Sequence, residues 1–310
     1  MNDKIIAVAG PTASGKSALA LELCKRLDGE LISLDSMQIY RGLDIGTAKP
    51  TKAEQAEVCH HMIDICEPTE NFSAAEFAER AHKVIADVQS RGKKAVLCGG
   101  TGLYLDTVLG RLDFGEIESD EKLRGELINF AEKNGADALH ERLREIDPQA
   151  AEKIHPNNVR RVARAIEIYE LTGKTKTEHD REAISDSPYE SLIIGLDYDD
   201  RGVLYNRINR RVDAMIEAGL EGEVRSLVSR GLLSAESTAG QAIGYKEMLG
   251  YIAGDCSLGD AVEKIKLGTR RYAKRQLTWL RRNPSINWLY PDRLGDFRSL
   301  VCEVEKIINK

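Results

Sequence analysis

Residues 10–17 carry the clearest chemical signal in this sequence, because their types and spacing suit the binding of a diphosphate. They read G-P-T-A-S-G-K-S, which matches G-x-x-x-x-G-K-[ST], and they stand between a strand-like apolar run and a helix-like stretch. Backbone N–H groups of such a loop can surround phosphate oxygens, while Lys16 can reach the outer phosphate and Ser17 can ligate Mg²⁺. The pattern predicts a P-loop with Mg²⁺ as cofactor, and it leaves open whether the diphosphate belongs to a nucleotide. The predicted diphosphate-binding residues are Gly10, Pro11, Thr12, Ala13, Ser14, Gly15, Lys16 and Ser17.

A second polar segment, D-S-M-Q-I-Y at residues 35–40, follows a strand-like run that ends at Leu34. Because the carboxyl ends of parallel strands line one crevice, we expect Asp35 to lie beside the P-loop. Its carboxylate could hold Mg²⁺ or accept a proton, although an N-cap or a loop hydrogen bond explains an aspartate there almost as well. The amide of Gln38 can pair with the N7 and N6 edge of adenine, so Gln38 is a candidate adenine reader.

Two further segments have a structural and a functional interpretation. Residues 99–102 read G-G-T-G after a third strand-like run. This segment could let Thr101 approach a ligand closely, or it could be an ordinary turn that needs positive φ. The neighbours His60 and His61 lack a third ligand at an obvious spacing, so we interpret them as structural residues rather than metal ligands.

Basic residues are concentrated in a chain whose net charge is −6. Residues 269–283 read T-R-R-Y-A-K-R-Q-L-T-W-L-R-R-N, with six basic residues, two aromatic residues and no acidic one. A second cluster, with the i, i+1, i+4 spacing of one helix side, consists of Arg160, Arg161 and Arg164. A solvated helix face is the default interpretation of a single basic cluster. Two clusters with interleaved aromatics in an acidic protein favour contacts with RNA phosphates and bases.

The elements that must position these residues alternate along the chain. Strand-like runs occur at 5–9, 31–34, 95–98 and 192–196 and near Trp288. Helical periodicity covers 17–27, 73–91, 120–133, 136–145, 158–171, 201–217, 220–230 and 259–282. This order predicts an α/β fold, a P-loop NTPase-like parallel sheet with helices on both faces. Residues 1–112 and 190–310 would form the catalytic core with its C-terminal basic helix, and residues 113–189 a helical insertion domain.

Composition restricts the class of protein further. Hydrophobic residues make up 42% of the 310 residues, which is enough for a core and excludes a wholly disordered chain. No apolar run approaches the 18 or so residues of a membrane span, and no signal peptide opens the sequence. The six cysteines include no C-x-x-C pair, so we expect reduced thiols rather than a zinc ribbon or a disulfide framework. We therefore expect a soluble cytoplasmic protein with no membrane partner.

Several of these segments, taken in order, resemble one known family. They are the P-loop, D-S-M-Q-I-Y, G-T-A-K-P at 46–50, H-H-M-I-D at 60–64, G-G-T-G-L-Y at 99–104, I-H-P-N at 154–157 with the arginines after it, G-Y-K-E at 244–247, and the basic run 269–281. Together they resemble the bacterial tRNA dimethylallyltransferases, also called tRNA isopentenyltransferases, over nearly the full chain. One departure is Asn158, where many members have Asp, and it affects only a helix cap. Nothing past Arg282 offers zinc ligands beyond Cys302, so the plain bacterial form is implied.

The resemblance implies an activity and a set of roles. The activity is transfer of a dimethylallyl group from dimethylallyl diphosphate to N6 of the adenosine on the 3′ side of the anticodon. Lys16 and the P-loop would hold the diphosphate, Asp35 would be the general base, and Thr101 would contact the reacting centre. The helical insertion would be a mobile domain that closes on the tRNA anticodon stem-loop, and the enzyme would be a monomer. The residues implied to face tRNA are Asp35, Ser36, Met37, Gln38, Thr101, Arg124, Arg160, Arg161, Arg164, Gln241, Gly244, Tyr245, Lys246, Lys274, Arg275, Gln276, Trp279 and Arg281.

Three other functions are compatible with a P-loop. The chain could be a small-molecule or nucleotide kinase that binds ATP. It could be an RNA-binding ATPase that switches conformation and modifies nothing. It could also transfer a prenyl group to a free adenine nucleotide.

Overall fold

The computed structural model describes residues 4–110, 120–182 and 187–309. Within them lies a six-stranded parallel sheet with the strand order β3-β2-β4-β1-β5-β6. The strands are β1 (Ile5–Ala9), β2 (Gly29–Ser33), β3 (His60–His61), β4 (Lys94–Gly99), β5 (Ser191–Leu196) and β6 (Ile286–Leu289). The predicted α/β class with a P-loop NTPase-like parallel sheet is confirmed.

Helices connect the strands and build a separate helical region. They are α1 (Lys16–Leu27), α2 (Lys52–Glu57), α3 (Ala74–Ser90), α4 (Gly102–Val108), α5 (Glu121–Asn134), α6 (Ala136–Ile146), α7 (Pro148–Lys153), α8 (Val159–Thr172), α9 (Lys176–Glu182), α10 (Arg201–Glu217), α11 (Leu220–Ser229), α12 (Tyr245–Ala253), α13 (Leu258–Leu280), α14 (Pro291–Leu294) and α15 (Phe297–Ile308). None of these helices is both long enough and apolar enough to cross a membrane.

The central strands are buried on both faces, which explains their continuous apolar sequences. Every residue of β1 is buried, and so is every residue of β4 after Lys94. Strands covered on both sides have no polar face to alternate with, as expected for a parallel sheet under two helical layers. The C-terminal helix α15 belongs to this core, since Leu300 and Val304 pack with residues of the sheet and of α1.

The register of the sheet brings the chemically important loops to one edge. Ala9 at the end of β1 is paired with Gly99 at the end of β4 and with Gly195 of β5. The P-loop, the segment that starts at Asp35, and the G-T-G turn at 100–102 therefore leave the sheet on the same side. This is the edge at which ligands bind in open parallel sheets.

Helix ends agree with the local sequence signals. Ser73 caps α3, because its hydroxyl accepts a hydrogen bond from the Glu76 N–H at 3.1 Å while the Glu76 carboxylate accepts one from the Ser73 N–H at 2.8 Å. This reciprocal pair is the capping box that the sequence predicts. The same arrangement, between Ser257 and Asp260, begins the long basic helix α13.

The chain divides into two compact units, Met1–Val108 with Tyr189–Lys310, and Leu109–Pro188. The second unit contains α5 to α9 around a core that includes Leu139, Leu143, Val162 and Ile166. The sequence placed the divisions after residues 112 and 189; the first of these lies outside the described residues.

Candidate active site

A cavity of about 410 Å³ opens at the carboxyl edge of the sheet. Its lining combines the P-loop, the segment that begins at Asp35, the G-T-A-K-P run and helices α10 and α13. Polar groups from distant parts of the sequence therefore meet in one enclosed space, as expected for a binding site. The lining residues discussed below are Lys16, Ser17, Asp35, Ser36, Met37, Gln38, His60, Arg211, Gln241, Gly244, Tyr272, Arg275 and Gln276.

The P-loop follows β1 and ends in the first turn of α1. Lys16 is only 9% exposed, and its ammonium donates to the Pro11 carbonyl at 3.2 Å. Burial lowers the pKa of Lys16, and the nearby Arg211 lowers it further. Ala13 has a φ of 62° and Gly15 a φ of 96°, so the loop depends on left-handed backbone at both positions.

Helix α10 places three arginines against the P-loop, and the sequence analysis assigned none of them. Arg207 donates to the Ala13 carbonyl at 2.8 Å, and Arg211 donates to the Thr12 hydroxyl at 3.3 Å. With Arg210 they line a second opening beside Gly15 and Lys16. The spacing R-x-x-R-R within 207–211 was the available signal, since residues i, i+3 and i+4 share one helix side. Together with Lys16, these arginines give the opening four cationic side chains.

Asp35 lies in the cavity and also stabilises its own loop. Its Oδ1 atom accepts hydrogen bonds from the N–H groups of Met37 at 2.9 Å and Gln38 at 3.3 Å. Among the described residues none donates a hydrogen bond to Oδ2, so one carboxylate oxygen is available to a ligand. Asp35 therefore makes the loop hydrogen bonds of the structural interpretation and also lines the cavity, as the functional interpretation requires.

Thr101 lies beside the same loop. Its hydroxyl oxygen accepts a hydrogen bond from the Ser36 N–H at 3.3 Å, and its own N–H donates to the Leu34 carbonyl. The G-T-G turn is therefore tied to the start of the segment that carries Asp35. Gly99 allows this approach, because a Cβ there would lie 2.3 Å from the Leu34 carbonyl oxygen.

Oxygen donors suited to Mg²⁺ are present near the P-loop. Ser17 is exposed at the start of α1, and its hydroxyl lies in the same cavity as the free Asp35 oxygen. Hydroxyl and carboxylate oxygens are the ligands that Mg²⁺ prefers, together with substrate phosphates and water. These residues fit the ion.

Gln38 has a fixed orientation in the cavity wall. Its Oε1 atom accepts a hydrogen bond from the Ser33 hydroxyl at 2.9 Å. Its Nε2 group donates to the carbonyls of Thr47 and Ala48, each at 3.2 Å. The predicted adenine reader is therefore oriented by the G-T-A-K-P run. A base that pairs with the Gln38 amide must either replace these hydrogen bonds or add to them.

The residues predicted to face tRNA on the basic helix α13 divide into two groups, exposed cations and side chains that bind partners within the protein. Lys274 and Arg275 are exposed, and Arg275 lies 5.7 Å from the Tyr272 ring centroid and lines the cavity. Gln276 is buried and accepts a hydrogen bond from the Thr12 N–H at 2.9 Å. Trp279 donates its ring N–H to Asp106 at 2.6 Å.

Arg281, predicted to face tRNA, also has a partner within the protein, while its side chain stays 55% exposed. Its guanidinium is paired with Asp197 at 2.6 Å, and Arg201 pairs with the other oxygen of that buried carboxylate. The partly desolvated Asp197 needs these cations, and both arginines lower its pKa by hydrogen bonding. The structure gives Arg281 a role in stabilising the fold.

The predicted tRNA-facing residues within 241–246 have mixed environments. Tyr245 is fully buried, and its hydroxyl donates to Glu223 at 2.6 Å, so it has no surface to offer RNA. Gly244 adopts a φ of 99° as the residue before α12. Gln241 and Lys246 are exposed, and Gln241 also lines the cavity.

In the helical unit, two of the predicted RNA-binding arginines share a buried partner. Glu167 is completely buried, Arg124 forms two hydrogen bonds to it at 2.9 and 3.0 Å, and Arg164 lies 3.1 Å from it. Arg160 and Arg161 are exposed on the same helix. The structure therefore separates structural arginines from solvent-facing ones in a cluster that looked uniform in the sequence.

The adjacent histidines have different environments. Nδ1 of His60 donates to the Val58 carbonyl at 2.8 Å, and the ring lines the cavity. Burial lowers the pKa of His60. Nε2 of His61 is 2.7 Å from Glu30, a carboxylate that Arg91 already binds with both of its terminal nitrogens. Cys59 lies close to this pair, but the arginine occupies the carboxylate that a metal would need.

Comparisons with known proteins agree over the full length. The family model described as IPP transferase matches residues 38–283. The tRNA dimethylallyltransferase of Halalkalibacterium halodurans is 48% identical over 99% of this chain and 97% of its own length. That of Geobacillus thermodenitrificans is 49% identical over 99% of this chain and 96% of its own length.

Solved structures show the same likeness. A tRNA isopentenylpyrophosphate transferase from Bacillus halodurans superposes with a TM-score of 0.73 at 46% identity, covering 99% of this chain and 96% of that one. A eukaryotic dimethylallyltransferase described as acting on tRNA superposes with a TM-score of 0.80 at 31% identity, covering 99% of this chain and 80% of that one.

Proposed function

This chain belongs to the IPP transferase family and is an enzyme that prenylates tRNA; from this premise we propose its donor, its acceptor atom and the roles of its residues. The donor is dimethylallyl diphosphate, and the acceptor is N6 of the adenosine on the 3′ side of the anticodon. The products are N6-isopentenyladenosine and diphosphate. The observation that supports this best is the single cavity that contains both the P-loop and Asp35.

The P-loop and α10 hold the leaving group in this proposal. Cleavage of the allylic C–O bond places negative charge on the departing diphosphate. The backbone N–H groups, Lys16 and Arg211 are already positioned at this site, so they stabilise that charge without further reorganisation. Mg²⁺, held by the Ser17 hydroxyl and by the diphosphate itself, would neutralise part of the same charge when bound. No phosphoryl group is transferred.

Asp35 acts on the acceptor. The exocyclic amine of adenine is a weak nucleophile because its lone pair is delocalised into the ring. The new N6–C bond forms as the C–O bond breaks, and the surplus N6 proton passes to the free carboxylate oxygen of Asp35. Thr101 and Ser36 define the position of this loop, and Gln38 holds the base edge.

Water must be kept from the allylic carbon, which has cationic character as the bond breaks. A target base turned out of its stack and placed in the cavity would cover that carbon. The exposed cations Lys274, Arg275, Arg160 and Arg161 would hold the phosphates of the anticodon stem-loop. The helical unit would close on that stem-loop as a mobile domain. The enzyme would act as a monomer, in the cytoplasm with its tRNA.

The test is a comparison of substrates with purified enzyme. Radiolabelled dimethylallyl diphosphate is incubated with unmodified tRNA, with the same tRNA carrying guanosine at the target position, and with free adenosine monophosphate. We expect label only in the first tRNA, at N6. A separate reaction with γ-labelled ATP and no prenyl donor covers the kinase and ATPase alternatives. Phosphate transfer or release there, without prenylation of tRNA, would overturn the proposal. Whole-chain likeness to tRNA dimethylallyltransferases does not favour the kinase alternative.

A further inference from the structure

Glu223 lies in the first turn of α11, and its carboxylate accepts hydrogen bonds from several residues of a distant loop. Its Oε2 atom accepts hydrogen bonds from the N–H groups of Asp44 at 3.1 Å and Ile45 at 2.7 Å. Its Oε1 atom accepts from the Gly46 N–H at 3.2 Å and from the Tyr245 hydroxyl at 2.6 Å. Three successive backbone donors thus converge on one carboxylate, which is the geometry of an anion-binding nest.

The segment bound by Glu223 also contacts Gln38. Residues 44–46 lead directly to Thr47 and Ala48, whose carbonyls accept both hydrogen bonds of the Gln38 Nε2 group. The amide of Gln38 has no other described partner except the Ser33 hydroxyl. The direction in which Gln38 presents its amide is therefore set by the position of residues 47 and 48.

Both ends of the segment 44–49 are held by buried side chains. Tyr245 is fully buried, and its ring lies so close to Gly46 that a Cβ at position 46 would be 2.5 Å from the ring. The other end of the segment is held by Lys49, whose buried ammonium donates to Asp44 at 2.7 Å and to Asp64 at 2.6 Å. Glu223 is the carboxylate that binds the backbone N–H groups of all three residues 44–46.

We propose that Glu223 is a positioning residue for recognition of the target adenosine, acting through residues 44–48 on Gln38 and never touching the substrate. The inference rests on the proposed function, because it takes Gln38 as the residue that holds the base edge. A carboxylate is required, since it accepts at both oxygens, whereas a glutamine would turn an NH₂ group toward backbone donors.

The test is Glu223→Gln, with Glu221→Gln as the matched control. Glu221 is on the same helix, and the described structure pairs it only with the exposed Arg225. We expect kcat/KM for an anticodon stem-loop to fall about 10–100-fold in E223Q, because small displacements of positioning groups are costly, and to stay within about 2-fold in E221Q. The affinity for inorganic diphosphate, which is bound at the P-loop, should not change in either variant.

A double-mutant cycle separates positioning from general structural damage. If Glu223 acts through Gln38, E223Q should cost less than about 3-fold in a Gln38→Ala background. An equal loss in both backgrounds would overturn the inference, and so would wild-type activity of E223Q. Glu223→Asp, which keeps the charge on a shorter side chain, replaces E223Q in the cycle if thermal unfolding shows that E223Q is not folded. Failure of the wild-type enzyme itself to prenylate the stem-loop would instead refute the proposed function.

Discussion

The side-chain oxygen of Gln276 accepts a hydrogen bond from the backbone N–H of Thr12 at 2.9 Å, which joins the basic helix α13 to the P-loop. Gln276 also fills the space above Gly100, where a Cβ would lie 2.1 Å from its amide nitrogen. One buried amide therefore connects the loops that follow β1 and β4. The helix that the sequence analysis predicts to bind RNA therefore also helps to shape the P-loop.

Gln276→Met should impair use of the prenyl donor rather than binding of tRNA. The substitution keeps the side-chain volume but leaves the Thr12 N–H without its partner, at a cost of about 1–3 kcal/mol in loop stability. We expect kcat/KM for dimethylallyl diphosphate to fall about 10-fold and tRNA affinity to stay within about 2-fold. Thr278→Ala, whose hydroxyl bonds only within α13, is the control. Weaker tRNA binding with normal donor use would contradict this role.

Lys16→Ala should abolish prenyl transfer while tRNA binding is retained. The ammonium is buried beside the diphosphate position, and loss of one preorganised donor to a developing anion typically costs about 10²–10³-fold in kcat. Single-turnover transfer and a tRNA binding curve measure the two properties separately. Lys25→Ala serves as control, since Lys25 is on the same helix and pairs with Glu57 at the surface. Near-normal turnover of K16A would mean that the P-loop does not hold the leaving group.

Asp35→Asn should reduce the rate steeply without weakening tRNA binding more than a few-fold. Asparagine keeps an oxygen acceptor for the N–H groups of Met37 and Gln38, so the loop is preserved, but it cannot take the N6 proton. Loss of a positioned base costs about 10²–10⁴-fold. The measurement is single-turnover transfer across a Mg²⁺ titration. Recovery of the rate at high Mg²⁺ would make Asp35 a metal ligand, and weak tRNA binding would make it a recognition residue.

Removal of charge at Lys274 and Arg275 together should weaken tRNA binding and reduce its dependence on salt. Both side chains are exposed, and each phosphate contact contributes about one unit to the slope of log K against log salt. The double alanine variant should therefore lose about two units. Lys264→Ala on the same helix should leave the slope unchanged. Arg281→Ala should lower the thermal unfolding midpoint instead, because it removes a partner of buried Asp197. An unchanged slope in the double variant would show that this helix face is exposed to solvent and does not contact tRNA phosphates.

Acid stability should depend on Glu30. The Arg91 guanidinium, with a smaller contribution from His61, lowers the pKa of Glu30 from 4.5 to about 2, although burial acts in the opposite direction. A carboxylate with a depressed pKa stabilises the fold above its unfolded-state pKa, and this stability is lost as the pH falls from about 4.5 toward 2. Between about pH 5 and pH 3, the wild type should therefore lose about 2 kcal/mol more unfolding free energy than Glu30→Gln.

Urea unfolding at the two pH values measures this difference. Glu79→Gln, which removes an exposed carboxylate paired with Lys83, should change the pH dependence much less, because solvent screens that pair. Parallel losses in the wild type and in E30Q would show that Glu30 is not the group responsible.

Local sequence signals predicted most of the elements. Apolar runs of four or five residues identified β1, β2, β4 and β5, and helical periodicity with the Ser73 capping box identified α3 within one residue at each end. Such signals depend on neighbours in the chain, so they are readable without the fold. The two-residue strand β3 was not predicted, and neither were the short helices α2, α4, α7, α9 and α14 or the longer helices α12 and α15. Strand β3 is too short for a period, and it exists because it pairs with β2.

The sequence by itself determined the P-loop, the parallel sheet and the edge at which Asp35 and Thr101 emerge, because each follows from spacing and from strand direction. Only the tertiary structure decided which polar side chains line the cavity and which bind partners within the protein. Gln276 and Arg281 bind distant partners, Thr12 and Asp197, and Tyr245 is buried against Gly46. A basic or aromatic residue in a helical stretch has the same local signature whether its partner is RNA or a buried carboxylate. Burial of a charge requires a specific counterion, and the identity of that counterion depends on packing between segments far apart in the chain.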